Sequence, residues 1–294
     1  MKAEPQSGIF AQGSQFYLAL EYRCTATPDL KAAIHNARMA AAARQDVHVV
    51  FAFGNHLLRA FSWSQINDFT PINSASGPRA PATQNDLLIW IHGTRPDTNF
   101  DMARAIHNEL KHHAQLVLEV PGFNYHENRD MTGFIDGTAN PQGDEAVEAA
   151  LIPAGEANTG GTYVMSMQFL HNLAAFQQLP VTEQEKIIGR TRNDSTELDS
   201  ASKPADAHIA RAEITIDGQE QKIYRRSFPF GGVEQHGLYF LAFARSQRPF
   251  DLMLKNMYGL SADGVHDHLL DFTRAVTGSY WFAPSVNVLE NMLA

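Results

Sequence analysis

Phe16-Tyr17-Leu18-Ala19-Leu20-Glu21-Tyr22 is an apolar, aromatic run of strand length, and Thr27-Pro28-Asp29 behind it opens the Ala-rich stretch Leu30 to Arg44 as a helix. The alternation continues downstream. Val47 to Phe53 reads as a second strand, Leu87-Leu88-Ile89-Trp90-Ile91 as a third, Asp101 to His113 carries helical spacing, and Leu116 to Val120 closes as a fourth strand. The order is β-α-β-β-α-β.

That order is the split βαβ arrangement of a ferredoxin-like sheet. The remainder repeats it more loosely. Thr162 to Phe169 is strand-like, helical pieces follow over Asn172 to Gln178 and Thr182 to Gly189, and Lys222 to Phe228 and Leu238 to Ala244 read as strands. Helices are expected over Phe250 to Tyr258 and Asp263 to Thr277. The expected class is therefore α+β, two ferredoxin-like (split βαβ) halves with antiparallel sheets, over residues 1–125 and 162–294. Between them, residues 126–161 form a linker loop in a stretch rich in Gly, Asn, Asp, Thr and Pro, a composition that suits functional loops. Asn193 to Asp206 is a second irregular segment.

Composition excludes several classes. At 294 residues, 44% hydrophobic and 19% charged, the chain buries a substantial core and has room for two domains. A formal charge of −9 without a Lys/Arg cluster argues against nucleic acid as a partner. The single cysteine, Cys24, can form no intramolecular disulfide and is expected in the core. Met1 to Ser7 has no apolar export-signal core, so the cytoplasm is the expected location. No apolar run approaches the roughly 20 residues of a membrane span, and no membrane partner is expected.

Chemistry starts in the linker. Gly133-Phe134-Ile135-Asp136-Gly137-Thr138-Ala139-Asn140-Pro141 holds an acid among residues that permit close backbone approach to a flat ligand. Alone, such an aspartate is more often a turn former. Further motifs change its weight: Gly160-Gly161-Thr162-Tyr163-Val164, Gln184 to Thr191, Lys203-Pro204-Ala205-Asp206-Ala207-His208-Ile209, Tyr224 to Gly231, and Leu269 to Gly278. In this order and spacing they resemble the dye-decolourising peroxidase family, over roughly Gly122 to the end, with the shorter bacterial proteins described as porphyrinogen peroxidases or deferrochelatases as the nearest subgroup.

The resemblance implies one haem b per chain, held in the C-terminal half with His208 as the axial ligand of the iron; a neutral imidazole is a good donor there. It makes Asp136 the acid that moves a proton on hydrogen peroxide, and Arg225 the cation that stabilises charge as the O–O bond breaks and anchors a propionate. Arg226 points to the opposite face of the strand. Ser227, on the Arg225 side, is expected to order water or peroxide. His171 and Arg192 are expected propionate contacts, and Asp271 the carboxylate behind His208, with Asp267 one helical turn earlier as the alternative. Strand Leu238 to Phe243 is expected to wall the haem. The histidine pairs His112-His113 and His266/His268 read as solvated helix-face residues.

The implied activity is a haem peroxidase that consumes hydrogen peroxide and oxidises dyes, phenols or porphyrinogens one electron at a time. Bulky donors would be reached through surface tyrosines or tryptophans; Trp63, Trp90, Trp281 and eight tyrosines are available, their usual role is core packing, and the sequence selects none of them. An Asp136 of ordinary pKa, about 3.9, would skew activity to acid. The rival readings are a protein that removes iron from haem and a haem store. A homodimer or larger homo-oligomer is expected.

Overall fold

Eight strands carry the architecture in the computed structural model, which describes residues 3–25, 27–74, 77–216 and 218–294. In chain order they are β1 (Phe16–Cys24), β2 (Val47–Phe53), β3 (Leu87–Gly93), β4 (Ala114–Phe123), β5 (Thr162–His171), β6 (Phe228–Gly231), β7 (His236–Ala244) and β8 (Ser279–Ala283). The first four lie side by side as β4-β1-β3-β2 and the last four as β6-β7-β5-β8, all antiparallel. Each half is thus a split βαβ sheet. Two edge contacts, Phe53 opposite Phe282 and Gly122 opposite Phe230, join the sheets into a closed ring. Closure leaves few strand edges exposed.

Alternation along each strand sorts side chains between the inside and the outside of the ring. Ala19, Val50, Leu88, Trp90, Val164, Tyr239, Leu241, Phe243 and Trp281 fill the inside. Their neighbours Leu18, Leu20, Phe51, Ile89, Ile91, Met165 and Met167 face outward into a second core, which also contains Cys24. One acid lies inside the ring. Glu21 is fully buried and accepts hydrogen bonds from Asn85 (2.8 Å), Tyr239 (2.8 Å) and Ser166 (3.2 Å). Its burial raises its pKa against those three donors.

Helices cover the outward faces. In the first half α1 (Pro28–Ala42) and α2 (Pro96–Leu110) both start on proline, where the missing N–H would have had no helical partner. Leu30, Ile34, Met102, Ile106 and Leu110 pack them onto the sheet. In the second half the covering is fragmented into α4 (Val181–Ile188), α5 (His208–Ala212) and α6 (Arg248–Met257). The linker is more ordered than its composition suggests, because α3 (Gly143–Ala150) lies within it and buries Ala146, Ala149 and Ala150.

Three sequence expectations change. Lys222 to Phe228 is not one strand: Tyr224–Arg225 pairs with β7, and pairing resumes only at Phe228. The strand β8, Ser-Tyr-Trp-Phe-Ala between Gly278 and Pro284, was not anticipated. The helix expected over Asp263 to Thr277 does not form. The Asp267 N–H goes to Met257 O and the His268 N–H to Asp206 O, and the Asp267 carboxylate caps Leu269. What results is a 3-10 turn, His268–Asp271, and a short strand, Thr273–Ala275, on β5. Among the described residues no helix is long and apolar enough to cross a membrane.

Candidate active site

Outside the second sheet, a cavity opens between β5, β7, the Gly133–Asn140 loop and α5, and its lining includes Asp136, His171, His208, Arg225 and Ser227. Side chains one position out of phase with the ring interior form the sheet wall: Met165, Met167 and Phe169 from β5, and Leu238 and Phe240 from β7. Ile209, Met253 and Leu269 close the apolar boundary. The result is an apolar slot with a few polar groups converging on it, the ordinary chemistry of a cofactor site.

His208 is the first residue of α5, and its Nδ1 lies 2.7 Å from Oδ2 of Asp267, whose side chain is fully buried. The other Asp267 oxygen accepts from the Leu269 N–H at 2.9 Å. A carboxylate there fixes the imidazole proton on Nδ1 and leaves the Nε2 lone pair without a protein partner among the described residues. Burial works to lower the His208 pKa, and the Asp267 charge and hydrogen bond outweigh it, so the net direction is up. Asp271, the carboxylate expected behind His208, instead accepts from Nε2 of His266 at 3.0 Å. The helical register that made Asp271 and Asp267 alternatives does not exist. His266 accordingly sits on irregular chain and His268 opens the 3-10 turn, each beside a carboxylate, rather than on one α-helical face.

Asp136 follows a two-stranded bridge, Arg129 opposite Ile135, and its N–H donates to Asn128 O at 2.8 Å. Burial raises its pKa; the Arg225 charge works the other way and Asp130 adds to the rise. Asn140, the last polar residue of the same motif, clasps the Arg225 backbone, donating to Arg225 O at 2.9 Å and accepting from Arg225 N at 2.8 Å. The guanidinium of Arg225 has no hydrogen-bonded or ion-paired partner among the described residues. Arg226 points away, donating to Ile9 O and Ala11 O and lying 5.1 Å from the Trp90 ring. Ser227 lines the cavity, and its Oγ accepts from the Leu241 N–H at 3.3 Å, in the gap where strand pairing is interrupted.

The two expected propionate contacts fare differently. His171 lines the cavity, yet both ring nitrogens are engaged, Nδ1 with Thr273 Oγ1 at 2.7 Å and Nε2 with Asp130 at 3.1 Å. Burial opposes ionisation of Asp130, and His171 and Thr132 override it, bringing the carboxyl down to about 2. Arg192 is not on this cavity; Arg190 is. The turn at Thr191–Thr196 sends the Arg192 side chain across Gly133 into a separate cavity. Sequence reading gave no role to Asn140 or Asp130, although Asn140 sat inside the quoted motif. Trp90 and Trp281 are fully buried inside the ring, in the core role usual for tryptophan.

Comparison with known proteins agrees with this geometry. A curated dye-decolorizing peroxidase of Mycobacterium tuberculosis is 39% identical over 239 residues, 79% of this chain and 71% of that protein. One from Mycolicibacterium paratuberculosis is 44% identical over 221 residues, covering 73% and 62%. Among solved structures, the encapsulated DyP-type peroxidase of Mycobacterium smegmatis superposes with a TM-score of 0.93 at 30% identity over 98% of both chains. A Rhodococcus jostii DypB variant solved in complex with heme gives 0.90 at 30% identity over 99% of this chain and all of the other. With the N-terminal model of the Dyp-type peroxidases matching residues 19–124 and the C-terminal model matching 127–288, the chain belongs to the Dyp-type peroxidase family.

Proposed function

We propose that one haem b occupies the apolar cavity with its iron on Nε2 of His208, and that Asp136 and Arg225 serve the peroxide. Haem peroxidase activity comes with the family; the roles of His208, Asp136 and Arg225 follow the family resemblance and the geometry of the cavity. The observation that carries them is a single cavity holding, among the described residues, an imidazole with a free Nε2, a guanidinium with no partner and a half-buried carboxyl, between walls of Met, Leu and Phe. Those groups fit a flat, apolar ring system that carries a metal and acidic side groups. Bound there, haem supplies the iron at which peroxide is taken up and split.

The chain's own groups do the rest. Asp267 holds the His208 proton at Nδ1 and increases the donor strength of Nε2. Ionised Asp136 takes a proton from one peroxide oxygen and returns it to the other as it leaves. Arg225, permanently charged and held at its backbone by Asn140, stabilises the negative charge that develops as the bond breaks. Ser227 positions water beside Arg225. Arg190, on the cavity wall, takes the propionate role expected of Arg192. Two organic donors each give up one electron and one proton, and both peroxide oxygens leave as water.

Absorption spectra of haemin-reconstituted protein, with and without one equivalent of peroxide, test this for the native sequence and His208→Ala. The native protein should bind haem in the ferric state and change spectrum rapidly on peroxide addition; His208→Ala should lose both features. Bound haem that only bleaches slowly would favour storage or iron removal. The single cysteine suits a reducing, cytoplasmic setting. Family resemblance supports a homodimer or larger, which light scattering would resolve.

A further inference from the structure

A second cavity of about 330 Å³ lies behind the Asp136 loop, its lining including Tyr125, His126, Arg129, Met131, Gly133 and Arg192. The two cavities share a wall. Along residues 129–136, Asp130, Thr132, Phe134, Ile135 and Asp136 line the haem cavity, while Arg129, Met131 and Gly133 line the second one. The tight turn closed by the Arg129–Ile135 bridge is the partition between them. Arg192 lies across Gly133 so closely that a Cβ at that glycine would fall 2.5 Å from its Nη2.

Among the described residues no acidic side chain lines this cavity, although the chain as a whole carries a charge of −9. Arg129 spends donors on the carbonyls of Gly133, Arg192 and Asn193, which leaves its charge unneutralised. The Arg192 side chain has one long contact, 3.5 Å to Gln184 Oε1, while the Glu185 carboxylate is occupied with the Arg192 backbone N–H. Neither arginine has an ion-pair partner among the described residues. His126, Glu127 and Asn128 hold φ of 31°, 56° and 65°, a run of left-handed residues that is sterically costly outside glycine and asparagine. This strained turn sets the Tyr125 and His126 rings edge to face, with centroids 4.1 Å apart, at the cavity.

We propose that this cavity docks a small phenolic reductant bearing a carboxylate, back to back with the haem. The proposal rests on the peroxidase reading. Forked guanidinium donors match a carboxylate bidentately, and the Tyr125 and His126 rings offer contact to an aromatic body. The volume is at the lower end for small-molecule sites. The docked phenol gives its electron across the partition to the haem oxidised by peroxide, and its proton ends in water; overall, H2O2 and two phenols yield two waters and two phenoxyl radicals.

The test uses haem-loaded protein and two phenols, 4-hydroxy-3-methoxybenzoate and its uncharged methyl ester, each compared between the native protein and the variant. For Arg192→Gln, KM for the carboxylate relative to the ester should rise about tenfold or more, the scale of a lost charge-assisted pair. Calorimetric titration of the carboxylate into resting enzyme, without peroxide, should show a matching rise in Kd. Gln177→Glu, at the rim, should act in the same direction without removing any side-chain contact of Arg192. An unchanged Kd and KM for the carboxylate, or an equal effect on both donors, overturns the docking site. The spectral response to peroxide without donor is read in parallel. If that fails, the peroxidase reading falls; if it persists while the carboxylate does not bind, only the docking proposal falls.

Discussion

The two halves of the ring share a strand order and differ in what covers their outer faces. In the first, two helices of 15 residues each lie over Leu18, Leu20, Ile89 and Ile91 and seal them. In the second, the corresponding outward positions Met165, Met167, Phe169, Leu238 and Phe240 look into a cavity, because their cover is broken into pieces of 8, 5 and 10 residues. Gly189 ends the first piece in the left-handed conformation at φ 90°, and a long irregular segment separates it from His208. The comparison teaches that the site is a gap in helical cover over a sheet that would otherwise be core. One half supplies stability, and the other gives up packing to hold a ligand.

That division can be broken most directly in the first half. Ile89→Ala should cost about 3 kcal/mol of unfolding free energy, the usual range for a large aliphatic side chain truncated in a packed core, measured by denaturant unfolding of the haem-free protein. Haem affinity of the folded fraction should not move. Leu238→Ala should do the reverse, with a small stability cost and weakened haem retention. Equal loss of haem affinity in both variants would show that the two halves do not divide these tasks.

A smaller effect sharpens the comparison within the second half. Asp267→Asn should lower haem retention or the rate with peroxide by about 10–100-fold, the range for a carboxylate behind a metal-bound histidine. Asp271→Asn should leave both unchanged, since Asp271 pairs with His266. A loss in the Asp271 variant comparable to that in Asp267→Asn would restore the carboxylate that sequence periodicity favoured.

The sequence showed the first half plainly because its strands and helices are long and its apolar spacing is regular. The second half was harder to read for the same reason that it binds a ligand: its helices are short, and its covering segments take their hydrogen bonds from distant chain. At residues 263–277, N–H groups paired with Met257 and Asp206 defeat a helical reading that spacing alone supports. The strand Ser279–Ala283 was missed, although it is an aromatic run between a glycine and a proline. Asp136, His208 and Arg225 were marked by motifs, and the fold brings them onto one cavity. Arg192 was misplaced because two arginines two residues apart sit in a turn, where strand parity assigns no face.

The subtlest consequence of the cavity concerns Asp136. Sequence alone gave it an ordinary carboxyl, but burial raises its pKa, and Asp130 adds to that while Arg225 pulls against it. The ionised form is the one that accepts a proton, so the rate with peroxide should fall as pH drops through a value above the usual 3.9 or so. The acid limb therefore lies higher than an unperturbed aspartate would put it. Arg225→Gln removes the charge that favours ionisation, so the limb should move further up. Stopped-flow rates of the spectral change against pH, for the native protein, Arg225→Gln and Asp136→Asn, measure this separately from the drop in overall rate. If the limb stays at ordinary carboxylate pH, ignores Arg225 or survives in Asp136→Asn, the proton is taken by another group, and Asp136 is a structural acid, as Glu21 is inside the ring.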